Sequence, residues 1–266
     1  MPEATTPLPA VFIGHGSPMN TLADNRYTQA WRAFGARLPK PRAVLVVSAH
    51  WYVNGTAVTA MSEPRTIHDF YGFPPELFAY QYPAPGDPAI ARRVRTLLAD
   101  IDVKLDESWG LDHGAWSVLA HMYPRADTPV IQLSIDGTKP SAYHYELGRK
   151  LAPLRDEGVL LVGSGNVVHN LGMMQRLDDA AGYDWAVEFN DALRGRLLTR
   201  DHETIMNPMR LGGAARLAIP TPEHYLPLVY IVGAARKDDD IEVLTDGVDL
   251  ASISMLSVAF GAAPSP

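Results

Sequence analysis

The chain has no cysteine. That one absence excludes disulfides, thiolate-bound metals, iron–sulfur clusters and cysteine nucleophiles, so any metal must be held by nitrogen and oxygen. A basic surplus is missing as well: 30 acidic against 23 basic side chains leave a net charge of −7. Such a balance argues against a nucleic-acid or anionic-membrane surface. Long apolar runs are also lacking. Residues 43–47 and 226–232 fall far short of the roughly 20 residues a membrane helix needs. The opening Met1-Pro2-Glu3-Ala4-Thr5-Thr6-Pro7 is acidic and proline-rich where a secretion signal is basic and then apolar. The expectation is a soluble, cytoplasmic chain.

What is present is ample core material, with 47% apolar and 20% charged residues in 266. Short apolar runs predict strands at residues 10–13, 43–47, 58–61, 129–135, 159–162, 225–232 and 253–260. Helical spacing predicts helices over 25–38, 88–100, 115–123, 141–154 and 185–199. Continuous rather than alternating apolar strands are buried on both faces. The fold class is therefore α/β, a mixed, mostly parallel sheet covered by helices on both sides. No repeat or composition shift marks a boundary, which predicts one domain over 1–266 with 1–9 and 262–266 as loose tails. The stretch 63–88 is rich in proline but also carries Phe70, Tyr71, Phe73, Phe78, Tyr80 and Tyr82. Those aromatics predict an ordered loop or lid rather than a flexible linker.

In a chain without cysteine, nine histidines make imidazole the first ligand to consider. His15, His50 and His169 each follow a predicted strand, among small residues that permit close backbone approach. In open α/β sheets, ligands bind beyond the carboxyl ends of the strands. His224 precedes the predicted strand 225–232, so a shared site with the others requires that strand to run antiparallel. No compact H-E-x-x-H signature is present, and spacing alone leaves a common metal and separate polar roles both open. His113, in Trp109-Gly110-Leu111-Asp112-His113-Gly114, falls at a predicted helix N-terminus. There the helix dipole disfavours imidazolium and suits the ring to relay protons; the other reading is a capping turn in which Asp112 caps and His113 is incidental. Of the rest, His144 and His202 read as solvated, His121 as packed, and His68, in the aromatic stretch, as a substrate contact. Gly163-Ser164-Gly165 lacks the remainder of a phosphate-binding loop. Gly14-His15-Gly16-Ser17-Pro18 is not a nucleophile elbow, which disfavours a serine hydrolase.

Taken together, Gly14-His15-Gly16-Ser17-Pro18, Ser48-Ala49-His50-Trp51, Trp109-Gly110-Leu111-Asp112-His113-Gly114, Gly163-Ser164-Gly165-Asn166-Val167-Val168-His169-Asn170 and Pro222-Glu223-His224-Tyr225-Leu226-Pro227 resemble a known family. It is the 4,5-DOPA extradiol dioxygenase family, among the class III, LigB-like ring-cleaving dioxygenases. The resemblance runs from about Val11 to the last strand. It implies one α/β domain and one divalent metal per chain, Fe(II) for activity and Zn(II) in isolated protein. By that match His15, His50 and His224 would be ligands, and His169 a fourth ligand or an acid/base group. A DOPA-like catechol would be opened beside its diol by O2, with His113 and His169 as the catalytic proton carriers. Trp51, Tyr225 and His68 are the candidate substrate contacts, with simple core packing the other and commoner reading of Trp51 and Tyr225. A ligand set without carboxylate leaves the ion its full charge, which a catecholate dianion would neutralise. Glu223 and Asp112 are the acids placed to orient imidazole N–H groups. The implied partners are a small aromatic diol and O2, with neither nucleic acid nor membrane, and a monomer or small homo-oligomer. A zinc hydrolase and a non-catalytic LigB-like binding protein are the alternative readings.

Overall fold

Along strand β1 (Ala10–Gly14), Ala10 and Phe12 face one core while Val11 and Ile13 face another. The same division repeats in β2 (Ala43–Val53), where Leu45 and Val47 part from Val44 and Val46. A strand with both sides buried must lie inside a sheet that is covered twice. The computed structural model describes residues 7–175 and 181–261 and has that arrangement. After β1 come α1 (Arg26–Arg37), β2, β3 (Thr56–Thr59), α2 (Pro75–Ala79), α3 (Pro88–Leu97), β4 (Val103–Asp106) and α4 (His113–Met122). They are followed by β5 (Val130–Asp136), α5 (Ser141–Leu151), β6 (Val159–Gly165), α6 (Asp184–Leu198), α7 (His202–Met206) and α8 (Ala214–Ala218). The chain closes with α9 (Leu226–Ala234), β7 (Ile241–Thr245), β8 (Val248–Asp249), β9 (Ile253–Ser254) and β10 (Ser257–Phe260).

The main sheet runs β4-β3-β5-β2-β6-β1-β10-β7. Its centre, β5-β2-β6-β1, is parallel, whereas β10 and β7 join antiparallel at one edge and β3 pairs antiparallel with β5 at the other. Parallel central strands bring the ends of β1, β2 and β6 to the same rim. Helices α1 and α4 with the aromatic stretch cover one face, and α3, α5, α6 and α9 the other. This is the expected single-domain α/β fold. Among the described residues no helix is long and apolar enough to cross a membrane.

Several expectations change. The run 225–232 is helix α9 rather than a strand, and all nine of its residues are buried. A short, continuously apolar segment cannot be told from a fully buried helix by periodicity, and Pro227 near its start suits a helix N-terminus. Strands β4 and β7 carry no clear sequence signal, because both are partly exposed and lack a long β-branched run. The expected strand 253–260 is two pieces, β9 and β10, in different sheets. His144 is buried, not solvated: its Nδ1 lies 3.0 Å from the Tyr230 hydroxyl and its Nε2 3.3 Å from the Lys139 carbonyl. The N-terminal tail ends earlier than residue 9. Leu8 is buried, and its carbonyl accepts from the Arg155 guanidinium at 2.7 Å. The remaining tail positions, 1–6 and 262–266, lie outside the described residues.

Candidate metal centre

His15 leaves the end of β1, and its backbone N–H donates to the Gly165 carbonyl of neighbouring β6 at 3.0 Å. His50 lies within β2, inside an irregularity of register between Val47 and Tyr52. Such a break re-aims side chains that regular alternation would send elsewhere. His113 is the first residue of α4, capped by Asp112, whose side chain accepts the Ala115 N–H. His224 precedes α9, and its carbonyl accepts the Asn166 N–H at 2.9 Å. Gly163 and Gly165 explain how α9 comes so close. A Cβ on Gly165 would stand 2.1 Å from the His224 carbonyl oxygen, and one on Gly163 2.6 Å from that of Pro227. These glycines serve close packing of α9 on β6 rather than an anion.

The rings converge. Centroids of His15 lie 5.2 Å from His50, 5.8 Å from His113 and 5.4 Å from His224. His50 is 3.8 Å from His113 and 5.1 Å from His224. His169 stacks flat on His224 at 3.4 Å. Ligand atoms of His15, His50 and His113 lie within 4.8 Å of one another, as do those of His169, Glu223 and His224. His224 thus joins the others from a helix N-terminus, and the antiparallel strand is not needed.

In His15, His50, His113 and His224, Nδ1 lies close to a protein oxygen. Ser164 Oγ donates to the Gly114 carbonyl at 2.5 Å, so at 2.9 Å it accepts from His15 Nδ1. His50 Nδ1 lies 3.1 Å from Asp69 Oδ2, and His113 Nδ1 3.0 Å from Asp69 Oδ1. Among the described residues His113 Nδ1 has no hydrogen bond of good geometry despite this short distance. His224 Nδ1 lies 3.4 Å from Glu223 Oε1. An imidazole nitrogen beside a carboxylate must carry hydrogen, since two sets of lone pairs would repel. The Nε2 lone pairs are then left for the centre.

Two observations fit those nitrogens to a metal. His15 Nε2 and His50 Nε2 face each other at 3.4 Å, which is about the separation of two nitrogens bound at roughly 2.0–2.1 Å to one tetrahedral ion. Among the described residues His224 Nε2 is buried with no hydrogen-bond partner, a cost of about 1–3 kcal/mol unless something binds it. Electrostatics favours neutral rings. Burial first, then neighbouring imidazoles, hold His15 and His224 well below the ordinary histidine range. Burial and His50 lower His169 to about 4 and also lower His113, against the pull of Asp69. Burial raises the Asp69 carboxyl, but its contacts with His113 and His50 outweigh that and keep it well below the usual range. The downward direction at His113 is the expected one, with burial and His50 as its causes.

A cavity of about 450 Å³ opens over these groups. It is lined by His15, His50, Asp69, His113, His169 and His224, and its walls include Phe70, Phe73, Leu171, Met174 and Ile253. The aromatic stretch therefore supplies a wall. The three expected substrate contacts are elsewhere. Trp51 stacks on Trp109 at 5.5 Å, the Tyr225 hydroxyl donates to the Ile205 carbonyl, and His68 Nε2 donates to the Tyr80 carbonyl. Asp112 is buried beneath the site, held by Ser48 and Gln132, and touches no imidazole of the centre. Glu223 does meet His224. Asp69 is the residue that sequence reasoning missed. Its only local signal is its place beside His68 and Phe70 in an aromatic segment whose path the sequence does not reveal.

A sheet rim carrying a cluster of imidazoles beneath an aromatic-walled cavity, on an α/β scaffold, is a site compatible with one metal ion. Comparison with known proteins gives the family. Residues 9–261 match the family described as the catalytic LigB subunit of aromatic ring-opening dioxygenase. The chain belongs to that family, in its 4,5-DOPA extradiol dioxygenase branch. It is 52% identical over 262 residues to the 4,5-DOPA dioxygenase extradiol of Escherichia coli (strain K12), covering 97% of this chain and 96% of that one. The protein of the same name from Beta vulgaris is 38% identical, over 94% and 95% of the two chains. A crystal structure of an uncharacterized protein from Escherichia coli K12 superposes with a TM-score of 0.84 at 48% identity, over 96% of this chain and 100% of that one.

Proposed function

We propose that this chain is an extradiol dioxygenase that opens the ring of a DOPA-like catechol with O2, using one Fe(II) held by His15, His50 and His224. The observation that carries the reading is the meeting of those rings, with centroids 5.1–5.4 Å apart and each Nδ1 beside a protein oxygen. Fe(II) held by these residues would supply redox contact between diol and O2, which zinc, lacking an accessible redox change, would not. The match to relatives named as 4,5-DOPA dioxygenases supports the substrate class.

The protein's own groups divide the remaining work. His113 holds its Nδ1 hydrogen toward Asp69 and offers its second nitrogen to accept a diol proton. His169, at the other side of the cluster and stacked on His224, is the second proton carrier rather than a ligand. Burial lowers both rings from the ordinary histidine range, which favours the neutral state a base needs. Phe70 and Phe73 form a wall for the aromatic ring and exclude water from it.

The test is to load the protein with Fe(II) anaerobically and then admit air with DOPA. Oxygen uptake and a yellow ring-opened product are expected. Absence of turnover with any catechol while Fe(II) is demonstrably bound removes the assignment. Ester or amide hydrolysis with zinc alone would move it to a hydrolase.

A further inference from the structure

We propose that Asp69 is a positioning residue that couples the two halves of the site, its one carboxylate setting the orientation of both the ligand His50 and the proton carrier His113. The inference rests on the metal reading above.

Three elements meet on this side chain. Asp69 lies in the segment between β3 and α2. Its Oδ2 is 3.1 Å from His50 Nδ1 on β2, and its Oδ1 is 3.0 Å from His113 Nδ1 on α4. The same Oδ1 accepts the backbone N–H of His113 at 2.9 Å, which pins the carboxylate to the start of that helix. The two rings it touches lie 3.8 Å apart, tilted by 52°. Phe70 and Phe73, just beyond Asp69, wall the cavity, so one anchor places both the histidines and the wall.

Only a carboxylate presents an accepting oxygen to all these partners at once. It accepts at both oxygens and donates nowhere, so it can face two imidazole N–H groups and a backbone N–H together. An amide at this position presents one oxygen and one NH2 group. Whichever ring meets the NH2 must flip its tautomer or rotate away. If that ring is His50, its hydrogen moves to Nε2 and the lone pair needed at the centre is lost. If it is His113, the proton carrier loses its fixed orientation. Metal-ligating imidazoles generally depend on such a partner, whose removal costs about 10–100-fold in metal affinity or activity.

The experiment compares the full chain with Asp69→Asn and Asp69→Glu. Co(II) affinity is measured by absorption titration without substrate, and the metal-free melting temperature reports the fold. Asp69→Asn is expected to melt within about 5 °C of the parent and to bind Co(II) about 10–100-fold more weakly. Asp69→Glu, which restores a carboxylate, should recover part of that loss. With Fe(II) loaded, Asp69→Asn should also shift the pH profile of kcat. Wild-type Co(II) affinity together with unchanged kcat in Asp69→Asn would overturn the proposal. So would a loss of affinity that Asp69→Glu fails to relieve and that follows the melting temperature. A parent that binds no Co(II) overturns this and the metal reading together. A parent that binds Co(II) yet cleaves no catechol sinks only the reaction, while the affinity comparison still decides Asp69.

Discussion

The Asn166 N–H donates to the carbonyl of His224 at 2.9 Å, and the residue between them in space, Gly165, has no room for a side chain. This backbone contact brings a helix start against a strand end and puts His224 among the histidines of β1 and β2. Gly165→Ala should therefore destabilise the fold by about 1–3 kcal/mol, as overpacking does, and weaken metal binding by displacing His224. Gly195→Ala is the control. A methyl group there, on α6, would meet nothing within 4 Å, so it should stabilise by about 0.5–1 kcal/mol. Denaturant midpoints of the two variants should move in opposite directions.

Ligand and proton carrier separate in their metal content. His224→Ala removes a buried nitrogen whose ring already has its other nitrogen beside Glu223, and the purified variant should hold markedly less metal. His169→Ala should keep its metal and lose about 10²–10⁴-fold in kcat. Metal analysis beside steady-state rates checks both. Metal loss in His169→Ala would make it a fourth ligand.

Ser164 joins His15 to the start of α4 by accepting from the ring and donating to Gly114. Ser164→Ala leaves His15 Nδ1 unpaired in a buried place, while the Gly114 carbonyl keeps its partner within α4. The expected cost is about 1–3 kcal/mol of stability and about 10-fold or more in metal affinity. Chemical denaturation and chelator competition measure the two.

His144 supplies a pH dependence outside the site. Burial lowers it to about 4 from its ordinary 6.5. Between those values the unfolded chain binds a proton that the folded chain refuses, so stability falls as pH drops through this window and is fully present above 6.5. The contribution at stake is about 3 kcal/mol at most. His144→Gln keeps polar atoms for Tyr230 and Lys139 and cannot titrate. Its unfolding free energy, followed from pH 7 to 4, should fall less steeply than that of the parent by that amount.

The sequence by itself determined the central strands and the histidines to consider. Apolar runs such as 43–47 and 159–162 are strands because only burial on both faces suits them, and a chain without cysteine leaves imidazole to bind a metal. His15, His50 and His169 were legible because each follows such a run. Tertiary structure decided the rest. Residues 226–234 are a helix because neighbours bury every side of it, and hydropathy does not record which neighbours those are. Trp51 and Tyr225 look like substrate contacts in sequence but are taken up by Trp109 and Ile205. Asp69 matters through two rings 19 and 44 positions away along the chain. A carboxylate's partners depend on where a loop returns in space, and no local pattern encodes that return.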